Sequence, residues 1–496
     1  MTEQLKPPLI TLTGLTSAGK TALLRTFLRD SEIGDINAGT GTTGIVNDYP
    51  LYLENDKDTL FVICDTPGFQ NIRGLTDLLN DRHPDRDLET LSIQEIYDLI
   101  PKDPDNPTAS PFRHDQLSWD QIRKSDTVLA VIDVTEDPDS DGTQSLLLSF
   151  WKLIQKEKSL IVLLNKRYCV QDGDSLVEKW RKKLEKYGLE PLIEYDAHYR
   201  DLNAESTLFN LLADLYPSLR RRFMKKKERR LAEEERRRQE AIQKTAAYLL
   251  KLAKTRKKLG EGKEEQSRYE SEKAEKKLIA ELREAEEKFV WEITKIWGFD
   301  SSIVSDVGNF NIYSHRIEES LEKQRIAKGA AVGAVIDIPF GGFSLGAGSL
   351  IGAAAGGVVG KAYDLITKKW HASSGKNVFF IPDIKFLNLA LDRSLGLLRA
   401  LASRGHGTPA ETTIKLGLMP IVCIPSAIDQ LQKIATSDWS RRILSLPTAV
   451  FDNIRRFASI DYAGRDIEKL SQTLSDFLSD ASFDSDLKSL SDRRQI

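Results

Sequence analysis

LITLTGLTSAGKTALLRTFLRD (residues 9–30) is the stretch whose reading decides the fold. LITLTG (9–14) is apolar and β-branched and reads as a short buried strand. GLTSAGKT (14–21) has the spacing G-x-x-x-x-G-K-[ST], and TALLRTFLRD carries the apolar pattern of a helix. Strand, glycine loop and helix in that order make a phosphate cradle. Loop amides and the positive end of the helix face the anion. Gly14, Ser17, Ala18 and Gly19 form the cradle, and the two glycines permit the turn and the close approach. Lys20 supplies a cation at the β- and γ-phosphates, and Thr21 offers a hydroxyl to Mg²⁺.

Outward from this stretch, LFVICD (60–65), TVLAVIDV (127–134), SLIVLLN (159–165) and PLIEYDA (191–197) read as further buried strands. Helical patterns separate several of them, so a doubly wound, mostly parallel α/β sheet is expected over residues 1–216. A polar stretch at about 74–124, with DRHPDRD and PKDPDNPTASP, reads as a partly helical insertion on the nucleotide face. DTPG (65–68) ends the strand LFVIC some 45 residues after Lys20. There Asp65 is placed to hold Mg²⁺ through water, and Gly68 to offer its N–H to the γ-phosphate. TGTTG (40–44) lies between the two motifs. A threonine from such a loop completes the Mg²⁺ shell only while the γ-phosphate is present, which is the physical basis of a switch.

These motifs resemble a translation-factor-class GTPase of the Era and dynamin kind. Thr43 aligns with the switch threonine, and Thr42 is the alternative. TSAGKT is similar to the dynamin loop, with Ser17 where many small GTPases carry glycine. Phe69 follows DTPG, where small GTPases carry the water-orienting glutamine. The resemblance implies that a monovalent cation or a backbone group does that work here, with Ser17 the candidate. SLIVLLN runs into NKRY (165–168), which keeps the Asn165 and Lys166 of an N-K-x-D base motif. Tyr168 stands where the aspartate would accept from guanine. That substitution weakens the case for strict guanine selectivity, since a buried hydrogen-bonding group is what rejects the wrong base. DAH (196–198) is a poor match to the last base-contacting loop. GTP is nevertheless the expected substrate and Mg²⁺-dependent hydrolysis the expected reaction.

Beyond residue 216 the composition changes. Residues 217–296 are rich in Ala, Glu, Lys, Arg and Leu and interrupted at LGEG (259–262), which predicts a hairpin of two long helices. Residues 220–258 hold 17 basic and 5 acidic side chains and residues 259–288 hold 7 and 10, so the arms attract one another. The run RRRFMKKKERR (220–230) reads first as a solvated helix face, then as a site for anionic lipid. RNA comes last, because the run lacks an aromatic stacking platform. Residues 297–380 contain a Gly/Ala-rich tract, 329–360, in which Gly348, Gly352, Gly356 and Gly360 recur every fourth position. Such a stripe lets another helix approach closely. A helical pair buried in the soluble domain, reversible membrane insertion and an oligomer interface all stand open for it. Residues 381–496 read as a helical C-terminal domain.

The full chain has 496 residues and a net charge of −3, from 71 basic and 74 acidic side chains. That balance argues against a dedicated nucleic-acid binder. Cys64, Cys169 and Cys423 share no metal spacing and exclude a disulfide framework. The start, MTEQLKPPLI, lacks the layout of a signal peptide, so a cytoplasmic location is expected, peripheral at the inner membrane if the tract inserts. The six histidines form no metal site. The whole architecture resembles a bacterial family in which an Era-like GTPase domain precedes a C-terminal domain of unknown function. That resemblance implies nucleotide hydrolysis and a nucleotide-dependent homodimer, and leaves the protein partner open.

Overall fold

The computed structural model describes residues 6–34, 45–53, 58–84, 86, 90–101, 110–139, 142–170, 172–258, 264–308, 314–318, 378–382, 384–409, 412–416, 427–428, 431 and 467–476. Thr42, Thr43 and the whole tract 329–360 lie outside the described residues.

A six-stranded sheet in the order β2-β3-β1-β4-β5-β6 organises the N-terminal part. Its strands are β1 (Leu9–Gly14), β2 (Asn47–Tyr52), β3 (Thr59–Asp65), β4 (Thr127–Asp133), β5 (Ser159–Asn165) and β6 (Leu192–Glu194). All pairings are parallel except that of β2 with β3. β4 and β5 are buried along almost their whole length, as strands covered by helices on both faces must be. β1 is central, with β3 on one side and β4 on the other, so its carboxyl end is the switch point where such sheets bind ligands.

Helices α1 (Lys20–Leu28), α2 (Ile72–Arg82), α3 (Ile93–Leu99), α4 (Arg113–Lys124), α5 (Thr143–Glu157), α6 (Gly173–Tyr187) and α7 (Leu202–Leu215) surround the sheet. Local sequence sets several of their ends. Ser92 and Glu95 form a reciprocal capping box on α3. Asp201 accepts from two amides at the start of α7. Gly188 closes α6 in the left-handed conformation.

Two strands differ from expectation. β2 carries Pro50, and a proline argues against a strand in the sheet interior; β2 is an edge strand, where it is tolerated. The strand expected at 191–197 stops at Glu194. Just beyond it, Asp196 turns the chain by accepting from the Tyr168 and His198 amides at 3.0 and 2.8 Å.

The chain continues into α8 (Arg220–Lys254), β7 (Lys257–Lys258), α9 (Glu264–Ile296), β8 (Val304–Ser305), β9 (Ser314–Glu318), β10 (Val378–Pro382), α10 (Ile384–Ser403) and β11 (Ile414–Lys415). The two long arms of the hairpin are α8 and α9, joined by a Tyr248–Phe289 stack at 4.3 Å and a Lys244–Glu292 ion pair at 3.2 Å. Strands β7, β10 and β9 form a small antiparallel sheet, and β11 pairs with β8. Leu249, Leu282, Ile293, Leu391, Leu398 and Leu401 centre a separate core built by α8, α9 and α10. Within it Arg393 meets Glu286 at 2.8 Å, a buried pair whose second carboxylate oxygen also takes the Gly308 amide at 2.6 Å.

α8 belongs to both cores. Its start packs on the sheet layer, where Phe223 is fully buried and stacks on Phe61 at 5.7 Å. Its second half, from Ala241, packs on α9 and α10.

Candidate nucleotide-binding site

At the carboxyl end of β1 the loop 14–19 turns into α1 through Gly19, which is left-handed at φ 83°. Lys20 is buried, and its ammonium donates to Leu15 O at 2.9 Å. Burial draws that ammonium down to about 8. Asp65 opposes the shift, and Lys166 adds to it. Thr21 Oγ1 donates to Asp65 Oδ2 at 2.6 Å, while Asp65 Oδ1 is buried with no hydrogen-bond partner. Burial raises the Asp65 carboxyl above its usual range, against the pull of Thr21 and Lys20. A buried carboxylate with one unsatisfied oxygen, held beside a threonine hydroxyl, suits a hard divalent cation that keeps water ligands. Asp65 and Thr21 therefore fit Mg²⁺.

The DTPG segment is zipped to the phosphate loop. Phe69 N donates to Gly14 O and Thr16 N to Phe69 O, both at 2.9 Å, and Thr16 Oγ1 reaches the same carbonyl at 3.2 Å. Gly68 has φ 87°, and a methyl group there would strike the Lys20 ammonium and the Gly14 carbonyl. Only glycine fits so close to the loop. Phe69 is buried and packs on Trp119 at 5.6 Å. The residue after DTPG is thus a core anchor in this chain, not a group facing the phosphates.

Sequence reasoning missed what holds the next two residues. Asp115, at the start of α4, accepts from the amides of Gln70 and Asn71 at 3.2 Å. Burial lifts its carboxyl to about 6, although those amides favour the charged form. An aspartate inside a polar stretch 50 residues downstream of Asp65 carries no local signal of this role.

Asn165, Lys166 and the loop after β6, the expected base end, meet beside the loop 14–19. Asn165 Nδ2 donates to Ala18 O at 2.9 Å, and Oδ1 accepts from Ala197 N at 2.8 Å. One side chain thereby ties the phosphate loop to the 196–198 loop. Lys166, left-handed at φ 64°, donates to Ser17 O at 2.7 Å and pairs with Asp133 at the end of β4. Ser17 is exposed and also left-handed, at φ 69°. Tyr168 lies against Tyr199 at 4.3 Å, with the Arg167 guanidinium over its ring. Asp196 is the carboxylate that the Tyr168 amide reaches, in the loop after β6. Each of its oxygens already accepts a backbone N–H.

The structure thus gathers Gly14, Ser17, Ala18, Gly19, Lys20, Thr21, Asp65, Gly68, Asn165 and Lys166 at one end of the sheet. Against known families, residues 9–166 match the model described as 50S ribosome-binding GTPase. The N-terminal part is a P-loop GTPase domain. Residues 181–417 match a domain of unknown function, DUF3482. No curated protein matches the chain in sequence.

Solved structures similar to it include Era in complex with MgGDPNP and nucleotides 1506–1542 of 16S ribosomal RNA. That match has 16% identity over 39% of this chain and 51% of that one, with a TM-score of 0.27. An Era variant of Aquifex aeolicus bound to GDP and AlF4⁻ shows 16% identity over 39% and 52%, with a TM-score of 0.26. A bacterial selenocysteine-specific elongation factor shows 15% identity over 43% and 29%, with a TM-score of 0.25. This chain therefore spans about half the length of the Era chains and less than a third of the elongation factor.

Among the described residues no helix is long and apolar enough to cross a membrane.

Proposed function

We propose that this protein is a Mg²⁺-dependent GTPase whose nucleotide state is communicated to its helical C-terminal half. The observation that carries the reading is the convergence of Lys20, the Thr21–Asp65 pair and Gly68 on one loop at the switch point of the sheet. Thr21 and Asp65 would hold Mg²⁺, with Thr43 joining them in the triphosphate state. Bound there, the metal would neutralise phosphate charge. Lys20 and the loop amides bind and orient those phosphates. The Gly68 amide senses the terminal one, and Ser17 orients the attacking water or a monovalent cation beside it. Asn165 and Lys166 brace the base end against the phosphate loop. Because Phe69 is locked in the core, the water must be oriented by groups other than the residue after DTPG.

The test is nucleotide affinity and steady-state hydrolysis for the whole chain and for Lys20→Ala. Loss of one preorganised cation should cost about 100-fold or more in turnover. Affinity and turnover equal to those of the unaltered chain would overturn the reading. Running the same protein with GTP, GDP or no nucleotide through liposome flotation and a ribosome sedimentation gradient assigns the output. Membrane action by 329–360 and 220–230 predicts GTP-dependent flotation. An RNA-directed role predicts a salt-sensitive shift in the gradient. A cytosolic switch acting on a protein partner predicts neither.

A further inference from the structure

SRGHGT (403–408) leaves α10 and crosses the base end of the site. Arg200 N donates to Ser403 O at 2.9 Å, and Tyr199 forms a single antiparallel bridge with Arg404. Gly405 N donates to His198 O at 2.9 Å, and Thr408 Oγ1 reaches the same carbonyl at 3.1 Å. Gly407 N donates to Thr26 Oγ1 at 2.8 Å, and that hydroxyl in turn donates to Ala197 O. Any side chain at Gly405 would run into the Ala197 carbonyl, and any at Gly407 into the Ala22 carbonyl of α1. The two glycines are what let a segment some 200 residues away in sequence lie flat on the backbone of the 196–198 loop.

The neighbouring residue clamps the turn from the other side. His406 Nε2 sits 3.2 Å from Arg200, whose guanidinium also meets Glu234 of α8 at 3.1 Å. Glu234 pairs with Arg29, the residue that ends α1, at 2.6 Å.

One chain of hydrogen bonds therefore runs from the phosphate loop to the C-terminal half. It passes from Ala18 O to Asn165, to Ala197, to Thr26 and to Gly407. We propose that the 403–408 turn positions the base-contacting loop, with Thr26, Gly405 and Gly407 as the positioning residues. Docked, the turn holds Ala197 against Asn165 and keeps the base end closed. Undocked, the loop loses its backing and the nucleotide leaves faster. The C-terminal half is then a built-in control on nucleotide exchange. The proposal rests on the nucleotide reading given above.

The experiment uses the whole chain and fluorescent GDP, with dissociation followed by stopped flow. Thr26→Val removes the hydroxyl and leaves a buried amide and carbonyl unpaired. It should accelerate GDP release roughly tenfold, the effect expected when buried partners lose a hydrogen bond. Thr26→Ser keeps the hydroxyl and should restore the rate to within about twofold. Thr408→Val is a milder, half-buried change and should give about a threefold acceleration even if Thr26→Val folds poorly. Inorganic tripolyphosphate separates positioning from general damage. It has no base, so Thr26→Val should alter its affinity far less than that of GDP, whereas a loosened domain weakens both. GDP release at the unaltered rate in both valine variants overturns this proposal and leaves the nucleotide reading standing. Absence of any GDP binding by the unaltered chain overturns both.

Discussion

Tyr168 stands where the N-K-x-D spacing would place the acceptor for guanine. Its amide is taken by Asp196, its ring packs on Tyr199, and a phenol accepts only one hydrogen bond well where a carboxylate accepts two. On the nucleotide reading proposed above, the adjacent N–H groups of guanine would have no bidentate acceptor at this position, and rejection of adenine would rest on weaker contacts. Tyr168→Asp should increase the ratio of GTP to ATP affinity by about tenfold or more, measured by calorimetric titration of both nucleotides. An unchanged ratio would place base recognition elsewhere in the domain. This residue and the phosphate loop were legible in the sequence for the same reason. Each belongs to a local spacing whose chemistry does not depend on what the rest of the chain does. Thr26 and Gly407 were not legible. Their partnership spans 381 positions, and neither residue differs locally from any other helix threonine or loop glycine.

At the scale of elements, α4 shows how an apparently irregular stretch can serve the site. The segment 74–124 is crowded with proline and aspartate and reads as a partly helical insertion on the nucleotide face, with no local sign of which residues touch the site. Trp119 is nevertheless fully buried between Phe69 and Phe150, and Asp115 caps the backbone just after DTPG. β2 was obscured in a similar way, because Pro50 hides an edge strand whose other residues alternate in burial.

The position of α4 has a consequence for pH. Asp115 is ionised above about 6 and protonated below it. Only the ionised form accepts strongly from both Gln70 and Asn71. Hydrolysis by the unaltered chain should therefore decline as pH falls through about 6, as the backbone after Gly68 loses its anchor. In Asp115→Asn, whose amide oxygen does not titrate, the acid limb should disappear and turnover should be lower at pH 7.5. A pH–rate profile of both proteins checks this, and an acid limb that persists in the variant refutes it.

At the scale of the whole molecule, α8 is a 35-residue rod, roughly 52 Å long, with its first turns in one core and its last in another. A rod shared in this way resists independent movement of the two halves. The buried ions around it add specificity. Arg29, Arg200, Arg230, Glu205 and Glu234 come from α1, the β6–α7 connection, α7 and α8. Removing one partner would strand a charge in the interior. His406 stays neutral among these cations, driven down to about 3 by burial and then by Arg200, Arg29, Arg237 and Arg404, and so it can accept from Arg200.

A ligand that binds only the folded site stabilises whatever is thermodynamically joined to it, by about 2.7 kcal/mol at 100 times its Kd. If the two halves unfold as one, GDP should slow amide hydrogen exchange in α10 as well as in β1 and α1. If they open separately, protection should stop at the sheet. The rod and the 403–408 turn both argue for the first outcome, and one link of the turn can be isolated. Thr26→Val cuts the Gly407–Thr26–Ala197 link and leaves the rod and the turn's bonds to His198 and Arg200 intact. Protection of α10 by GDP that is lost in this variant assigns the coupling to that link, and protection that survives assigns it to the rod and the remaining bonds together.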